Sequence, residues 1–345
     1  MNKRVVTFGE IMLRLSPPNF ERLVQSRSFN AAYGGAEANV AASLANYGIP
    51  VNYITKLPNN EIGDACIFFL RQFGVNTDYI IRGGERIGMY FLEIGTSLRP
   101  SKVIYNRAYS AISEASPQEF DWNKILNDAF WFHWTGITPG ISQNLANICL
   151  DAVKTAREKN IIVSCDLNYR SKLWKYGKQP KEVMHKLLKY CDIAIGNEED
   201  ADKVLDIKAQ DLDLKSGKID AGKYKYVVEE MMKQYPNLKK IAITLRGSVN
   251  ASYNRWSAIL YDGNDKYISP EYDINPIVDR VGAGDSFMAG LIYGLITFKQ
   301  DLQKVLNFAV AASCLKHTIF GDFNLVSVNE ILKLMGGDTS GRASR

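Results

Sequence analysis

A glycine-rich segment late in the chain carries the residues best suited to anion binding and proton transfer. Residues 278–290 read VDRVGAGDSFMAG, so a loop of small residues leads directly into an apolar helix. Because Gly282 and Gly284 flank Ala283 without side chains, backbone N–H groups can point at one anion, and the helix start adds partial positive charge. Asp285 stands at the mouth of this predicted anion hole, where it can deprotonate a hydroxyl that attacks a phosphoryl group. The alternative interpretation is a tight turn with an aspartate at the helix N-cap.

A second glycine-rich segment, residues 34–41 with the sequence GGAEANVA, leads into a predicted helix. Gly34 and Gly35 allow a polar ligand to approach the backbone closely. The side chains of Glu37 and Asn39 offer hydrogen bonds to hydroxyl groups of such a ligand. The alternative is a glycine-terminated strand that caps a core helix.

Several familiar catalytic motifs are missing from the sequence. It contains no Gly-x-x-x-x-Gly-Lys-[Ser/Thr] phosphate loop, no initial strand followed by GxGxxG, and no GxSxG nucleophile motif. The five cysteines are scattered through apolar stretches without a CxxC pair, and the three histidines are isolated. We therefore predict buried free thiols and no metal site made of Cys and His.

From residue 129 onward, short apolar runs alternate with helical repeats. The predicted strands are 129–134, 161–166, 193–195 and 241–245, and the predicted helices are 142–159, 180–190, 227–235 and 302–315. This alternation predicts a parallel sheet covered by helices on both faces.

The first third of the chain predicts a smaller sheet beside the large one. Val5–Leu13 is interpreted as one buried strand, and residues 51–57 as another. Segments 29–35, 86–94 and 102–110 alternate in the manner of antiparallel strands with one face in water. Helices at 36–47 and 61–73 each end at a glycine.

The composition is that of a globular protein, with 345 residues, 46% hydrophobic and 23% charged. Such a length accommodates about two domains of ~150 residues or one large α/β domain with an appendage. The net charge of +5 is spread without a basic block, which argues against a nucleic-acid partner. No apolar run approaches the ~20 residues that span a membrane, and the N-terminus lacks a signal-peptide core. We therefore expect a cytoplasmic protein without a membrane partner.

The predicted elements favour a single large domain. We expect an α/β domain over residues 1–335, with a discontinuous β-sheet lid drawn from about 11–35 and 86–111. Residues 336–345 are polar and rich in Gly and Ser, which predicts a mobile tail. Residues 206–226 are charged and turn-prone, which predicts a surface excursion.

The two glycine-rich segments, at this separation and on this βα background, resemble the ribokinase-like (PfkB-type) carbohydrate kinases over roughly residues 5–335. The family's C-terminal motif is Asp-Thr-x-Gly-Ala-Gly-Asp, and here residues 279–285 carry Arg280 at the threonine position. Its N-terminal motif is Gly-Gly-x-Gly-x-Asn, and here Glu37 replaces the last glycine. The resemblance implies a three-layer α/β fold with a mostly parallel central sheet and a small β-sheet lid. It also implies ATP and Mg²⁺ as cofactors, and potassium activation is common in the family.

Four motifs together resemble the 2-keto-3-deoxygluconate kinases within that family: GGAEANVA at 34–41, RIGMY at 86–90, YNRAYSA at 105–111 and DLNYRSKLW at 166–174. The resemblance implies transfer of the ATP γ-phosphoryl group to the primary hydroxyl of 2-keto-3-deoxy-D-gluconate, which gives the 6-phosphate. Asp285 would be the base. The sugar-acid pocket would be lined by Gly34, Gly35, Asn39, Tyr90, Tyr105, Arg107 and Arg170.

The residue types agree with a substrate that carries a carboxylate. Planar guanidinium groups bind carboxylates through two parallel hydrogen bonds. Arg107 lies on a predicted lid strand, and Arg170 follows a parallel-sheet strand, where ligands of α/β proteins gather. The alternatives are solvated surface charges for both arginines and packing aromatics for Tyr90 and Tyr105.

The resemblance also implies a nucleotide site. Residues 241–247, IAITLRG, match the family's strand-end Thr-Leu-Gly-x-x-Gly turn near ATP, with Arg246 in place of the first glycine. Residues 197–200, NEED, match an Asn-x-x-Glu motif that organises Mg²⁺ and phosphate through water, with the shorter Asp200 in place of Glu. The alternative for this motif is a helix start enriched in acids. The implied nucleotide contacts are Asn168, Asn197, Thr244, Arg246, Gly247, Gly282, Gly284 and Asn307.

Two other functions stay open at this point. A fructokinase or another ribokinase-like kinase of neutral sugars would leave two arginines without a carboxylate partner. A non-catalytic sugar- or nucleotide-binding regulator would not need the base at Asp285. In each case we expect a homodimer or a higher homo-oligomer through the lid, since an open β face that closes on a ligand needs cover.

Overall fold

The computed structural model describes residues 3–207 and 224–338. Its strands, in chain order, are β1 Arg4–Phe8, β2 Met12–Ser16, β3 Asn30–Gly34, β4 Val51–Ile54, β5 Lys56–Leu57, β6 Ile81–Arg82, β7 Gly88–Glu93, β8 Lys102–Asn106, β9 Ala129–Thr135, β10 Ile162–Asp166, β11 Ile193–Gly196, β12 Lys240–Asn250, β13 Tyr253–Tyr261, β14 Lys266–Ile268 and β15 Tyr272–Ile274.

The α-helices of the described residues follow the predicted alternation. In chain order they are α1 Ala36–Asn46, α2 Glu61–Gln72, α3 Trp122–Ile125, α4 Ile137–Ile141, α5 Gln143–Glu158, α6 Pro180–Leu188, α7 Glu198–Leu205, α8 Lys225–Gln234, α9 Ala283–Thr297, α10 Leu302–Lys316 and α11 Val328–Met335; a 3₁₀ turn covers Pro117–Glu119.

The main sheet of the described residues has nine strands in the order β14-β13-β12-β11-β10-β9-β1-β4, and β15 pairs with β13. All pairs from β4 to β12 are parallel, as the strand–helix rhythm predicts. The pairs β12–β13, β13–β14 and β13–β15 are antiparallel. Sequence reasoning did not identify β13, β14 and β15, so the antiparallel edge of the sheet is new in the structure.

Helices cover both faces of this sheet, and each face has its own apolar core. Adjacent side chains of β9 show the division, because Trp131 packs into one core and Phe132 into the other. The core with Phe132 takes apolar residues of α5, α6, α7 and α8. The core with Trp131 takes those of α1, α2, α9 and α10. The predicted three-layer arrangement, helix on sheet on helix, is therefore confirmed.

A four-stranded sheet in the order β3-β2-β7-β8, which we call the lid sheet, lies outside the main sheet. Its strands fall within the predicted lid segments 11–35 and 86–111. The segments 29–35, 86–94 and 102–110, predicted as antiparallel strands, contain β3, β7 and β8. β7 and β8 are antiparallel as predicted, but β3 and β7 are separated by β2, which is antiparallel to β3 and parallel to β7. The reason is connectivity, since α1, β4 and α2 lie between β3 and β7 in the chain and no hairpin joins them.

The prediction of one strand over Val5–Leu13 is also wrong. β1 belongs to the main sheet and β2 to the lid sheet, and Gly9, Glu10 and Ile11 form the crossing between them. Glu10 breaks the apolar run because its buried carboxylate accepts hydrogen bonds from Arg107 and Ser110. The first apolar run of the chain therefore connects the two sheets.

The structure tests the prediction of buried free cysteines. All five cysteines are free, four are buried and Cys314 is partly buried, as predicted.

Within residues 3–207 and 224–338, no helix has the length and apolar character needed to cross a bilayer. Most of the predicted excursion at 206–226, and residues 339–345 of the predicted tail, lie outside the described residues.

Candidate active site

The predicted anion hole lies at the start of α9. Gly282 is the N-cap residue with φ +83°, a left-handed conformation, and a Cβ there would collide with the carbonyl oxygen of Asp322. A Cβ on Gly284 would meet no atom within 4 Å, so this residue faces open space. The backbone N–H groups of Gly284 and Asp285 donate no hydrogen bond to any described residue, whereas that of Ala283 makes a long 3.4 Å bond to Arg280. The start of α9 therefore has two amides without a hydrogen-bond partner among the described residues.

Asp285 is held beside these amides by Asn39. The amide Nδ2 of Asn39 donates to Asp285 Oδ2 at 2.6 Å. Its Oδ1 accepts a hydrogen bond from the backbone N–H of Gly35 at 3.2 Å. The two glycine-rich segments, 246 residues apart in the chain, thus meet at one carboxylate. Asn39, which is predicted to contact substrate, binds the carboxylate of Asp285 in the structure.

The pKa of the Asp285 carboxyl is raised to about 6, chiefly by burial. The charge of Asp322 raises this pKa further, while the hydrogen bond from Asn39 lowers it. The positive charges of Arg170 and Lys316 also lower it. Such a carboxyl is ionised at neutral pH and is more basic than an ordinary aspartate, which suits a general base.

A buried ion-pair cluster joins the lid sheet to the anion hole. Arg14 of β2 donates to Asp279 Oδ2 at 2.5 Å and to Asp322 Oδ1 at 2.7 Å, and all three side chains are buried. Tyr90 of β7 donates its hydroxyl hydrogen to the other oxygen of Asp322. Asp279 also accepts from the backbone N–H groups of Val281 and Gly321. The cluster therefore fixes the loop before α9 relative to two lid strands.

Replacement of Arg14 by methionine is expected to lower the free energy of unfolding by about 3–5 kcal/mol, because two carboxylates would stay buried without their cation. Urea denaturation followed by circular dichroism measures this. The matched control is Arg255→Met, whose ion-pair partner Asp273 is exposed, and it should leave the free energy of unfolding almost unchanged. A loss for Arg14→Met as small as that of the control would show that the cluster does not fasten the lid.

Gly34 and Gly35 are required by close packing at this junction. A Cβ on Gly34 would collide with the Asp322 carboxylate, and one on Gly35 would collide with the backbone carbonyl of Glu10. Their absent side chains therefore let β3 and the start of α1 approach the lid crossing and the ion-pair cluster.

Arg107 lies just after β8 and faces the site from the lid side. Its Nη2 donates to Glu10 Oε2, and its guanidinium lies over the ring of Tyr105, 5.6 Å from the centroid. The Nε of Arg107 is buried without a hydrogen-bond partner among the described residues. Tyr105 is 39% exposed, and its ring lies 6.0 Å from that of Tyr90. The predicted lid residues therefore lie together, with Glu10 as the present partner of the arginine.

Glu37 does not offer its carboxylate to a ligand in the predicted way. It is buried, and its Oε1 accepts hydrogen bonds from the backbone and side chain of Thr135 and from the side chain of Thr138. Burial raises the pKa of Glu37 to about 7. The residue that departs from the family pattern thus binds α1 to the end of β9.

A group of polar residues follows the carboxyl ends of β10 and β11. Asn168 donates to the carboxylate of Asp166 through its backbone N–H at 3.2 Å. Asp200 accepts from the backbone N–H groups of Tyr169 and Asn197, at 2.7 and 2.9 Å. Burial is the largest cause that raises the pKa of Asp166, and it raises that of Asp200 to about 6. Asn197 and Asp200 also form a capping box at the start of α7.

Arg170 provides the positive charge on this side. It is exposed and donates to the carbonyl of Tyr169. Its charge lowers the pKa values of Asp166, Asp200 and Asp285. Arg107 follows β8 of the lid sheet, whereas Arg170 follows β10 of the main sheet, so the two arginines come from different sheets.

The predicted nucleotide residues of β12 do not form a turn. β12 continues to Asn250, and Arg246 and Gly247 pair in register with Trp256 and Arg255 of β13. The strand-end prediction is therefore wrong, because an antiparallel partner extends the strand past Leu245. Thr244 is partly buried, Arg246 is exposed, and Asn307 on α10 accepts a hydrogen bond from Gln303 at 2.8 Å.

Sequence reasoning missed four charged residues of this region: Glu10, Arg14, Lys316 and Asp322. All four are buried. Glu10 and Arg14 had a detectable signal, because charged residues inside or beside an apolar run require a partner when they are buried. Lys316 and Asp322 lie in and after α10, where no local pattern indicates that they return to the loop before α9.

Chemically, the arrangement combines a half-buried basic carboxylate, two free helix-start amides and a lid that carries an arginine and two tyrosines. The family model of the pfkB family carbohydrate kinases matches residues 2–324. The chain belongs to the pfkB family of carbohydrate kinases. The fold and family expectations from the sequence are thus confirmed, and the protein is a sugar kinase with the ribokinase-like fold.

Three proteins illustrate which members of the pfkB family this chain is similar to. 2-Dehydro-3-deoxygluconokinase from Thermotoga maritima, which is known from a crystal structure, shares 53% sequence identity with this chain. The two structures match with a TM-score of 0.92, over 97% of this chain and 100% of that one. A PfkB family carbohydrate kinase from Listeria grayi is 30% identical, with a TM-score of 0.88, over 97% and 100%. A 2-dehydro-3-deoxygalactonokinase from Haloferax volcanii is 30% identical over 341 residues, 99% of each chain.

Proposed function

We propose that this pfkB-family kinase transfers the γ-phosphoryl group of ATP to the primary hydroxyl of 2-keto-3-deoxy-D-gluconate, which is the 2-dehydro-3-deoxygluconate named for the Thermotoga maritima protein. The product is 2-keto-3-deoxy-6-phosphogluconate. The observation that carries the proposal is Asp285, a carboxylate of raised pKa held by Asn39 beside free helix-start amides. A cytoplasmic location, where ATP and sugar acids occur together, belongs to the same proposal.

In the proposed reaction, Asp285 accepts the proton of the attacking hydroxyl. The free N–H groups of Gly284 and Asp285 stabilise negative charge on the transferred phosphoryl group, and the open face of Gly284 lets phosphate oxygens approach. The lid sheet holds the sugar and keeps water from the phosphoryl group. Such catalysis is mainly positioning and electrostatic stabilisation.

The residues present fit a magnesium ion that is bound mostly through phosphates and water. Within the described residues, no three acidic, His or Cys side chains are arranged to hold a metal by themselves. Mg²⁺ in kinases uses one or two carboxylates in addition to substrate phosphates. Asp200, with Asp166 beside it, would hold waters of the ion through lone pairs left free by the backbone hydrogen bonds. When bound, the ion neutralises charge on the phosphates.

We propose that Arg107 and Arg170 recognise the sugar-acid carboxylate, with Tyr90 and Tyr105 against the sugar. Arg107 has an unpartnered Nε and one visible carboxylate partner, Glu10. A substrate carboxylate would add the second partner that this guanidinium can bind. Thr244, Arg246, Gly247 and Asn307 remain our proposed nucleotide contacts, together with Asn168 and Asn197.

A second candidate substrate is the C4 epimer, 2-keto-3-deoxygalactonate, because the Haloferax volcanii relative is a 2-dehydro-3-deoxygalactonokinase. A panel of gluconate-type acid, galactonate-type acid and fructose, each assayed for kcat/KM by coupled ADP release, separates the alternatives. The proposal expects the gluconate-type acid to be preferred and fructose to be used poorly. A preference for fructose would indicate a neutral-sugar kinase, and no ADP release with any of them would indicate a binding protein.

Gly284→Val is expected to weaken ATP affinity and turnover sharply while the protein keeps its melting temperature. The added side chain would enter the open space in which we place the phosphate. Gly282→Val is the contrasting variant, and it should lower the melting temperature, because its Cβ would collide with Asp322 at a left-handed φ. Calorimetric titration with ATP and thermal unfolding measure the two effects. A Gly284→Val protein with normal ATP affinity and rate would show that the loop is a plain turn.

We further propose a homodimer or higher homo-oligomer through the lid sheet. Its outer strand β8 carries Ile104, which is 53% exposed, beside the partly exposed Tyr105. Phe29 and Val24, in the lid connection before β3, are also exposed. Sedimentation velocity of the purified chain and of an Ile104→Lys variant tests this, and a monomeric unaltered chain would exclude it.

A further inference from the structure

Lys316 is the last residue of α10, and its side chain is 0% exposed. A buried ammonium group is costly unless charges and hydrogen bonds compensate for the lost water. Its position at a helix C-terminus supplies part of this compensation, since the helix dipole favours a cation there. The rest must come from the groups that surround it.

The surroundings place the ammonium group behind the anion hole. Its Nζ donates to the carbonyl of Ile319 at 3.0 Å, and its Cε would lie 3.4 Å from a Cβ on Gly282. An ammonium group has three N–H donors, and within the described residues only this one is used. The loop before α9 is tied to the same place, since the backbone N–H groups of Val278 and Asp279 donate to the carbonyl of His317.

Three carboxylates attract this cation without contacting it. Burial lowers the pKa of Lys316, and the charges of Asp279, Asp322 and Asp285 oppose this by favouring its charged form. No acidic oxygen of the described residues lies within 4.0 Å of its Nζ. Arg14 binds two of these carboxylates directly and repels Lys316. Three negative groups therefore face two positive ones, and an incoming phosphate adds more negative charge. Without Lys316, Arg14 would be the one cation left among these five groups to offset the three carboxylates.

We propose that Lys316 is a built-in monovalent cation of the phosphoryl-transfer site, which positions the loop before α9 and offsets the negative charge around Asp285. The chain then needs no dissociable K⁺ or Na⁺ for turnover, in contrast to the potassium activation that the family resemblance implies. Lys316 is a positioning residue, because the loop and the carboxylates lie between it and the reacting atoms. The inference rests on the proposed kinase activity.

The first test compares cations. Wild-type kcat is expected to be unchanged when K⁺ is replaced by Na⁺ or by tetramethylammonium, which is too large to occupy a buried site of K⁺ size. Lys316→Ala should lose about 10²–10³-fold in kcat, the usual cost of one lost electrostatic group at such a site. Because alanine leaves a space, added NH₄⁺ or K⁺ should restore at least part of the loss in a saturable manner. Lys316→Met fills the space and should show the loss without the rescue.

Two controls separate this role from a general loss of structure. Lys304→Ala lies on the same helix with an exposed side chain and should keep wild-type kcat in every buffer. Thermal unfolding without substrates gives a readout independent of activity, and only the Lys316→Ala protein should be stabilised by NH₄⁺ or K⁺.

The pH profile provides the third readout. Loss of the ammonium charge removes an attraction that lowers the pKa of Asp285, so the acid limb of kcat/KM should move to higher pH in Lys316→Met. A residue that only packs would leave the limb in place. Other charged groups also interact with Asp285, namely Glu37, Asp166, Arg170 and Asp322. The groups that interact electrostatically with Lys316 are Arg14, Asp279, Asp285, Asp322 and His317.

Several outcomes would overturn the inference. They are a wild-type rate that rises severalfold with K⁺, a Lys316→Ala protein with normal kcat, and a loss that no small cation reverses while the acid limb stays in place. Failure of both variants to fold would likewise assign Lys316 a purely structural role. If the wild-type protein phosphorylates no sugar acid, the proposed function fails, and the cation effect on the melting temperature of Lys316→Ala still decides the inference.

Discussion

Asp285→Asn is expected to lower kcat by about 10²–10⁴-fold while the sugar acid and ATP still bind, because asparagine keeps the size and hydrogen bonding of the side chain but cannot accept the proton. The hydrogen bond from Asn39 can be retained by the amide oxygen. Steady-state kinetics with coupled ADP release measures kcat, and equilibrium titration measures binding.

The matched control is Asp151→Asn, an exposed aspartate of α5, which should keep wild-type kcat. In the wild-type protein, kcat/KM should fall as the pH drops through about 6, since protonation of Asp285 removes the base. A variant that keeps more than about a third of wild-type turnover would exclude Asp285 as the base.

Arg107→Met is expected to cost about 2–4 kcal/mol in transition-state binding of the sugar acid, because it leaves a largely desolvated carboxylate short of one partner. That corresponds to roughly 30- to 1000-fold in kcat/KM for the acid. Activity on a neutral analogue without the carboxylate should change little, so the diagnostic quantity is the ratio of the two substrates. Arg27→Met, an exposed arginine in the lid connection before β3, is the control and should leave the ratio unchanged.

The structure adds a stability effect to this variant. Glu10 is buried and pairs with Arg107, so Arg107→Met leaves its carboxylate with Ser110 alone and should destabilise the protein by about 3 kcal/mol. The double variant Glu10→Gln/Arg107→Met removes the unpaired charge and should recover stability, but not the preference for the acid. Equal losses on both substrates would mean that Arg107 holds the lid or the phosphates, and the sugar-acid proposal would give way to a neutral-sugar kinase.

Local patterns account for much of what the sequence predicted correctly. The helices after Gly35 and Gly282 and the parallel strands from β9 to β12 are each encoded in segments of fewer than about 20 residues, by apolar periodicity and glycine placement. For the two glycine-rich segments, the family resemblance implies only a common sugar pocket with Asp285 as base, and it does not specify that Asn39 binds Asp285. The geometry of this contact, with the amide directed at the carboxylate, required the structure.

Predictions failed where distant partners decide the outcome. Arg14 pairs with Asp279 and Asp322, which lie 265 and 308 positions further along the chain, and no local sequence pattern indicates such contacts. Glu37 looked like a ligand contact because its partners Thr135 and Thr138 lie about a hundred residues further along the chain. β12 extends past its predicted end because β13 supplies a ladder of hydrogen bonds, which overrides the turn suggested by its sequence.

The most direct test of the central proposal is the position of the transferred phosphate. Purified wild-type protein with ATP, Mg²⁺ and 2-keto-3-deoxy-D-gluconate should form one ADP for each phosphorylated sugar acid, and ³¹P–¹H NMR correlation should place the phosphate on the C6 primary hydroxyl. Omission of the sugar acid should abolish ADP formation, since the lid is expected to exclude water. ADP release without a phosphorylated product, or phosphate on any other hydroxyl, would contradict the account.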